Sequence, residues 1–171
     1  IGSGLVGSEM CIRDRYMGLF QISNEPGFLT PTLYNYVGRP DKTAEVVRKT
    51  LKERYNTTKE GIPGNDDSGS MSSWYVFHAL GFYPNTGQDL YLISSPTFEE
   101  AVIHLENGRD LSIKAKKASD KNIYVQSVKL NGEPLDACSF KHTDIANGGT
   151  LEFVMGSKPS KWGTVGVENQ L

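Results

Sequence analysis

The spacing of hydrophobic residues changes near residue 84 of this chain. Before that point, apolar residues recur every three to four positions, which predicts helices joined by polar loops. After it, short runs rich in Val, Ile, Leu, Tyr and Phe predict strands. We therefore expect an α+β fold, with a helical region at residues 16–84 and a β region at residues 85–171.

A surface helix is predicted over residues 41–55. Ala44, Val47 and Leu51 recur at helical spacing, while charged residues occupy the opposite side. Asp41 follows a proline and is the expected N-cap, because its carboxylate can accept a bond from a free N–H of the first turn. The pattern is typical of a helix that buries one face.

The helix that follows Asp67 has a different pattern. Its apolar residues leave almost no polar face, which predicts burial on most sides, and they are Met71, Trp74, Tyr75, Val76, Phe77, Ala79 and Leu80. Gly81 is the expected end of this helix, with Pro84 just beyond it. In a helical barrel, helices with one apolar face lie in the outer ring, and helices that are apolar on all sides lie in the inner ring. The two patterns found here fit such a barrel, although a layered bundle would look similar.

The β region contains five predicted strands, at residues 89–94, 101–105, 111–116, 123–130 and 151–155. Asn107-Gly108 and Asn131-Gly132 lie between strands and have the residue types that hairpin turns with positive φ require. The sequence therefore predicts an antiparallel meander or sandwich.

Composition and charge narrow the class of ligand. The chain has 171 residues, of which 37% are hydrophobic, and this is enough to bury a sizeable core. Its net charge is −2 and its Lys and Arg are scattered, which argues against a nucleic acid or an anionic membrane as partner and favours an uncharged ligand. No apolar run approaches the roughly 20 residues that span a bilayer, so no membrane crossing is expected.

The first fifteen residues do not fit the rest of the chain. Residues 1–15 have neither a helical nor a strand period, and they lack the apolar stretch and cleavage site of a secretory leader. They resemble translated sequencing-adapter sequence, so we interpret them as a non-native artefact that includes Cys11. The native chain is then expected to continue upstream of about Tyr16, which makes this sequence a fragment. The other cysteine, Cys138, indicates no metal site and no disulfide framework.

Asp66 and Asp67 are the first candidate site residues. They lie on a loop bracketed by glycines that runs directly into the apolar helix. One interpretation is a helix cap, since carboxylates near a helix N-terminus accept bonds from its free N–H groups. A cap needs only one acceptor, however, and two adjacent carboxylates can also divide the roles of general base and helper, with one of them activating a water.

Asn24-Glu25-Pro26 forms the second polar cluster. It could be an ordinary helix start with Glu25 facing water, or a site that recognises sugar hydroxyls, whose oxygens would also suit Ca²⁺. Trp74 and Tyr75 are interpreted as core residues rather than as a stacking surface for sugars, and His78 as a hydrogen-bonded core or boundary residue. The sequence has no phosphate-binding loop, zinc motif or serine-hydrolase elbow, which disfavours those chemistries.

Several motifs together resemble glycoside hydrolase family 92, a family of alpha-mannosidases. The resemblance runs from about Tyr16 to the end of the chain and corresponds to the C-terminal part of such an enzyme. It rests on Asn24-Glu25-Pro26, Leu33-Tyr34-Asn35-Tyr36, Gly61-Ile62-Pro63-Gly64-Asn65-Asp66-Asp67-Ser68-Gly69, Met71-Ser72, Trp74-Tyr75-Val76, Leu80-Gly81-Phe82-Tyr83-Pro84 and Ser94-Ser95-Pro96.

The resemblance implies an exo-acting, calcium-dependent alpha-mannosidase that inverts the anomeric centre of terminal mannosides of glycans. It implies the last helices of an (α/α)6 barrel, followed by a β region similar to an antiparallel sandwich. Asp67 matches the general base, with Asp66 supporting it, while Asn24 and Glu25 match the loop that contacts substrate close to the calcium. It also implies secretion, or a periplasmic or cell-surface location.

The chain departs from the family pattern at several points. The position of Asn24 is His in members that cleave alpha-1,2 linkages, and Asn65 replaces an acid of some relatives, so the linkage stays open. The resemblance implies that the general-acid glutamate and the N-terminal β-sandwich lie in upstream parts of the enzyme, which we expect to be missing from this chain. We therefore expect the chain alone to have no hydrolytic activity.

Two other classes of function remain open from the residues. One is a different helical-barrel glycosidase or a phosphorylase, although Asp66 and Asp67 would repel phosphate. The other is a non-catalytic β module that binds carbohydrate or is purely structural. Exposed aromatics on a sheet face would favour binding, whereas inward-facing Tyr91, Phe98, Tyr124 and Phe153, which we expect, would favour a structural module.

Overall fold

A computed structural model describes residues 22–165 of the chain. The segment 1–15, predicted to be a non-native artefact, lies outside the described residues. Within them the fold is α+β as predicted, with helices first and strands after residue 81. No helix among these residues is both long enough and apolar enough to cross a bilayer.

Two α-helices and three short 3₁₀ helices form the helical part. The α-helices are α1, Pro40–Arg54, and α2, Ser70–Leu80, and the 3₁₀ helices are η1, Glu25–Gly27, η2, Thr30–Val37, and η3, Asp67–Gly69. The helix predicted at residues 41–55 is therefore confirmed as α1. Together with η2, it forms the layer that packs against the β region.

The predicted N-cap of α1 is wrong. Pro40 takes the first helical position, for which its fixed φ and its missing N–H are suited. Asp41 then lies inside the first turn, where both carboxylate oxygens accept bonds from the guanidinium of Arg39, at 2.9 and 2.8 Å. Its negative charge still favours the positive end of the helix dipole.

Helix α2 ends at Gly81 as predicted, because Gly81 has φ +101° and its N–H bonds to the carbonyls of Phe77 and His78. The prediction that α2 is buried on most sides is wrong within the described residues. Met71 and Trp74 are fully buried, whereas the side chain of Val76 is 53% exposed. The described residues thus cover one face of α2 and leave Ser73 and Val76 exposed on the other side.

His78 is buried as expected, but its ring has no hydrogen-bond partner among the described residues, so the expected bonding is wrong. The imidazole instead packs between Trp74 and Tyr83, with ring centroids 4.2 and 4.7 Å away. Burial lowers the pKa of His78 to about 3. The ring is therefore neutral and packs as an aromatic side chain.

The strands form two sheets. The three-stranded sheet has the order β1-β2-β7, and its strands are β1, Phe82–Pro84, β2, Tyr91–Ile93, and β7, Ser139–Phe140. The five-stranded sheet has the order β3-β4-β8-β5-β6, and its strands are β3, Glu100–His104, β4, Asp110–Lys116, β5, Tyr124–Leu130, β6, Glu133–Pro134, and β8, Gly149–Gly156. A last 3₁₀ helix, η4, spans His142–Asp144. All five predicted strands are present.

One prediction about the sheet pairing is wrong. Both Asn-Gly turns close antiparallel hairpins as expected, between β3 and β4 and between β5 and β6. However, β8 lies between β4 and β5 and pairs in parallel with β4, from Leu111 opposite Gly149 to Lys116 opposite Val154. The five-stranded sheet is therefore mixed, with β8 in its centre between the two hairpins. Leu151, Phe153 and Met155 of β8 are buried in the core.

A buried asparagine holds the helical part to the β part. Asn35 donates hydrogen bonds from Nδ2 to the carbonyls of Ile93, at 2.7 Å, and Cys138, at 3.2 Å. Its Oδ1 accepts a bond from the hydroxyl of Thr43 at 2.8 Å. Asn35 thus links η2 and α1 to the three-stranded sheet. Nearby, Cys138 is a free, buried thiol whose pKa burial raises to about 11, so it is not reactive.

The aromatic residues of the β region do not all face inward. Phe153 is buried in the core, and Tyr91 and Tyr124 are partly buried. Phe98 is 51% exposed, so the expectation is wrong at this position. Of these four rings only that of Phe98 is exposed, and the choice between a carbohydrate-binding and a structural module stays a prediction.

Candidate active site

Two loops meet at the N-terminus of α2, and a glycine allows their contact. A Cβ at Gly64 would lie 2.3 Å from the carbonyl oxygen and 2.9 Å from the Cα of Ser23, and Gly64 has φ +89°. Only glycine fits both conditions. The loop that carries Asp66 and Asp67 can therefore pack against the backbone that leads into η1.

Asp66 is the residue that caps the helix. Its Oδ1 accepts a bond from the N–H of Ser72 at 2.8 Å, and its Oδ2 accepts one from the Ser72 hydroxyl at 3.0 Å. Its carbonyl oxygen accepts bonds from the N–H groups of Gly69 and Ser70. The helix-cap interpretation of the acidic pair thus applies to Asp66, whose carboxylate is already engaged.

The side chain of Asp67 is not engaged by the helix in this way. It is exposed, and the hydrogen-bond partner of its carboxyl is the side chain of Glu25. Asp67 has φ +28° and is followed by Ser68 at φ +62° and Gly69 at φ +90°. Positive φ at two successive residues other than glycine is strained, and such strain is concentrated at functional sites. The strained turn presents an exposed carboxylate beside the helix.

Glu25 lies beside Asp67. The pKa of the Asp67 carboxyl is raised by desolvation, by the charge of Glu25, by a hydrogen bond between the two side chains, and by the charge of Asp66. Two carboxyl groups in contact favour the protonation of one of them. The fold thus brings together two acids that are far apart in sequence.

The turn that carries Glu25 is anchored at both ends. Asn24 Oδ1 accepts a bond from the N–H of Glu25 at 3.0 Å. At the other end, the indole N–H of Trp74 donates to the carbonyl of Phe28 at 3.0 Å. Trp74 is fully buried, which confirms its interpretation as a core residue. Its hydrogen bond to the turn was not predicted.

The structure brings the four predicted site residues, Asn24, Glu25, Asp66 and Asp67, into one neighbourhood, while their catalytic and binding roles stay predictions. Sequence reasoning missed the residues that hold them, which are Gly64, Ser70, Ser72 and Trp74. Hydroxyl residues in the first turn after an acidic pair are a signal that could have indicated Ser70 and Ser72. No comparable signal indicates the contact at Gly64.

The oxygen donors at this site are of the type that Ca²⁺ prefers, but they are too few to complete its coordination shell. Ca²⁺ takes six to eight oxygen ligands, and carboxylates such as Glu25 are among its preferred donors. Among residues 22–165, no group of three or more His, Cys, Asp or Glu side chains could hold a metal ion. Asn24 already uses its side-chain oxygen within the turn. These residues could supply only part of a calcium shell.

Replacing Gly64 with Ala is expected to lower the free energy of unfolding by about 3 kcal/mol, because backbone strain adds to an overlap with Ser23. Gly69→Ala is the matched control, since Gly69 has φ +90° in the same loop but nothing within 4 Å of its Cβ position. Its expected loss is about 1 kcal/mol. Urea denaturation of both variants measures the difference, and equal losses would contradict the proposed loop contact.

Comparisons with known proteins agree on one family. The sequence profile of the glycosyl hydrolase family 92 catalytic domain matches residues 8–157, a range that begins inside the segment interpreted as an artefact. A protein of Arthroderma benhamiae called an uncharacterized secreted glycosidase is 40% identical over 149 residues, which are 85% of this chain and 19% of that protein.

Solved structures give the same result. A family GH92 alpha-mannosidase from Bacteroides thetaiotaomicron, in complex with mannoimidazole, superposes with a TM-score of 0.82 at 31% identity over 94% of this chain and 24% of its own. An inverting family GH92 mannosidase from the same organism superposes with a TM-score of 0.80 at 33% identity, over 90% of this chain and 21% of its own.

The chain therefore spans about a fifth to a quarter of the length of these relatives. The family match covers most of the chain, and the structural likeness extends over both its helical and its β parts. The chain belongs to glycosyl hydrolase family 92.

Proposed function

We propose that this chain is the C-terminal part of a calcium-dependent, inverting exo-alpha-mannosidase that hydrolyses terminal alpha-mannosides of glycans. The two similar structures described above are an alpha-mannosidase and an inverting mannosidase, which supports this proposal. The longer polypeptide to which we assign the chain is called the complete enzyme here.

The observation that carries this proposal is the exposed carboxylate of Asp67 in contact with that of Glu25. In an inverting glycosidase, a carboxylate takes a proton from water, whose oxygen attacks the anomeric carbon from the face opposite the leaving group. An acid protonates the leaving oxygen as the glycosidic bond breaks. Asp67 is assigned the role of base because its side chain is not engaged by the helix, and its raised pKa increases its affinity for the proton of water.

Asp66 supports Asp67 through the backbone. Both oxygens of Asp66 are bound by Ser72, so Asp66 fixes the start of the strained turn to the first turn of α2. A rigid element behind a catalytic group keeps that group in its productive position. This gives Asp66 a supporting role without proton transfer.

A calcium ion would be held partly by Glu25, with the other ligands supplied by water, by sugar hydroxyls and by the rest of the complete enzyme. When bound, the ion would neutralise charge and orient the sugar. Asn24 retains its amide N–H donors for a sugar hydroxyl, because its oxygen is bound within the turn.

The helical part has features of an incomplete layer. Val76 on α2 is 53% exposed, and Ile62 on the preceding loop is 40% exposed. Covering these side chains would remove apolar surface from water, which is favourable. We propose that the remaining helices of an (α/α)6 barrel, followed upstream by a β-sandwich, cover this face and supply the general acid. The name of the fungal relative supports secretion or a cell-surface location.

The test is hydrolysis of an alpha-linked mannobiose followed by ¹H NMR. The complete enzyme is expected to release beta-mannose first, which then mutarotates, whereas the 171-residue chain alone is expected to release none. Alpha-mannose as the first product would contradict inversion. Turnover by the isolated chain would contradict the assignment of the general acid to an upstream segment.

A further inference from the structure

The first residue of α2 contacts both loops of the site. The Ser70 hydroxyl lies 3.1 Å from Oε1 of Glu25 and 3.1 Å from the carbonyl oxygen of Asp66. A serine hydroxyl has a single proton to donate. The two acceptors therefore compete for it.

The competition favours Glu25. The carbonyl oxygen of Asp66 already accepts bonds from the N–H groups of Gly69, at 2.8 Å, and Ser70, at 2.6 Å, which occupy both of its lone pairs. A carboxylate is also the stronger acceptor, because hydrogen bonds to charged groups are stronger than those between neutral groups. The hydroxyl proton of Ser70 is thus directed to Glu25.

Glu25 has few other restraints on its side chain. It is exposed, and besides its contact with the Asp67 carboxyl it accepts a hydrogen bond from the Ser70 hydroxyl at 3.1 Å. A long, exposed side chain populates several rotamers unless a bond selects one of them. Ser70 and Trp74 lie four residues apart on α2 and hold Glu25 and Phe28 respectively. One face of α2 thus fixes the turn at two points.

We propose that Ser70 is a positioning residue, which acts on substrate binding by holding the Glu25 carboxylate beside Asp67. This role rests on the proposed function, because it assumes that Glu25 contacts the sugar. Ser70 does not touch the reacting atoms itself. Its removal should therefore weaken binding through Glu25 and leave the chemical step less affected.

The test is a double-mutant cycle in the complete enzyme with an aryl alpha-mannoside. Ser70→Ala is expected to lower kcat/KM about tenfold, mainly through KM, because one charge-assisted hydrogen bond is lost. In a Glu25→Ala background the same change should have less than about a twofold effect, since its acceptor is absent. Ser70→Thr keeps the hydroxyl and should restore most of the activity.

Ser73→Ala is the matched control. Ser73 lies on the same helix, is exposed, and donates its hydroxyl to the carbonyl of Gly69 at 2.8 Å without contacting a carboxylate. An equal loss in both Glu25 backgrounds, or a loss in Ser73→Ala as large as in Ser70→Ala, would overturn the proposal. Asp67→Asn is measured in parallel, because full activity of that variant would refute the proposed function and not the role of Ser70.

A second cycle needs no activity. The free energy of unfolding of the 171-residue chain is measured for Ser70→Ala, Glu25→Ala and the double variant. Non-additive effects are expected if the hydroxyl bonds to Glu25, and additive effects would overturn the proposal.

Discussion

Replacing Asp67 with Asn in the complete enzyme is expected to lower kcat about a thousandfold while KM changes less than about threefold, because general base catalysis contributes 10² to 10⁴ in rate. Asn has the size of Asp and tolerates positive φ, so the turn at φ +28° is preserved. The loss then reports the missing proton acceptor and not a displaced loop.

Asp66→Asn is the comparison that separates catalysis from capping. The Oδ1 of Asn would still accept from the N–H of Ser72, but its Nδ2 could only donate to the Ser72 hydroxyl, and both bonds would lose the strength that the carboxylate charge gives them. We expect the free energy of unfolding to fall by about 1 kcal/mol and kcat to fall far less than in Asp67→Asn. Activity assays measure kcat, and urea denaturation measures the free energy of unfolding. A larger fall of kcat in Asp66→Asn than in Asp67→Asn would indicate that Asp66, and not Asp67, is the general base.

Replacing Asn35 with Ala is expected to lower the free energy of unfolding by about 3 kcal/mol or more, because it leaves buried polar groups of Ile93, Cys138 and Thr43 with fewer partners. Asn35 is fully buried and bonds to Thr43 in α1, to Ile93 in β2 and to Cys138 just before β7. The same region joins the helical and β parts, so the loss should appear in a single cooperative transition.

Asn107→Ala is the control for this prediction. Asn107 is exposed and makes two side-chain hydrogen bonds, to the carbonyl of Ala146 and from the N–H of Arg109. Its loss is expected to be below about 1 kcal/mol, because water replaces these bonds. Urea denaturation of the 171-residue chain measures both variants, and similar losses would show that Asn35 is not the central link.

Local patterns were sufficient to predict much of the fold. The helical period of residues 44–51 predicted α1, and the glycine at position 81 predicted the end of α2, where the structure has a positive φ. Strand β7 has only two residues, which is too short for any alternation to be recognised. The parallel pairing of β4 with β8 depends on contacts between distant segments, and no local pattern encodes it.

For the candidate site, too, the local sequence indicated some features and missed those that depend on the folded chain. The motif around Asp66 and Asp67 indicated both acids, but it could not tell which of them is engaged by the helix. That distinction depends on Ser72, six residues further on, and on the backbone angles of the turn. The contact between Glu25 and Asp67 depends on the close approach at Gly64, which is a property of the folded chain alone.

The position of Asp67 relative to the sugar is tested most directly by chemical rescue. Asp67→Gly removes the carboxylate and suits the positive φ, and azide can then occupy the vacated space in the complete enzyme. With an aryl alpha-mannoside, azide should restore turnover and form beta-mannosyl azide, because it attacks the anomeric carbon from the face opposite the departing phenolate. Absence of rescue, or formation of the alpha-azide, would contradict the assignment of Asp67 as the carboxylate on that face.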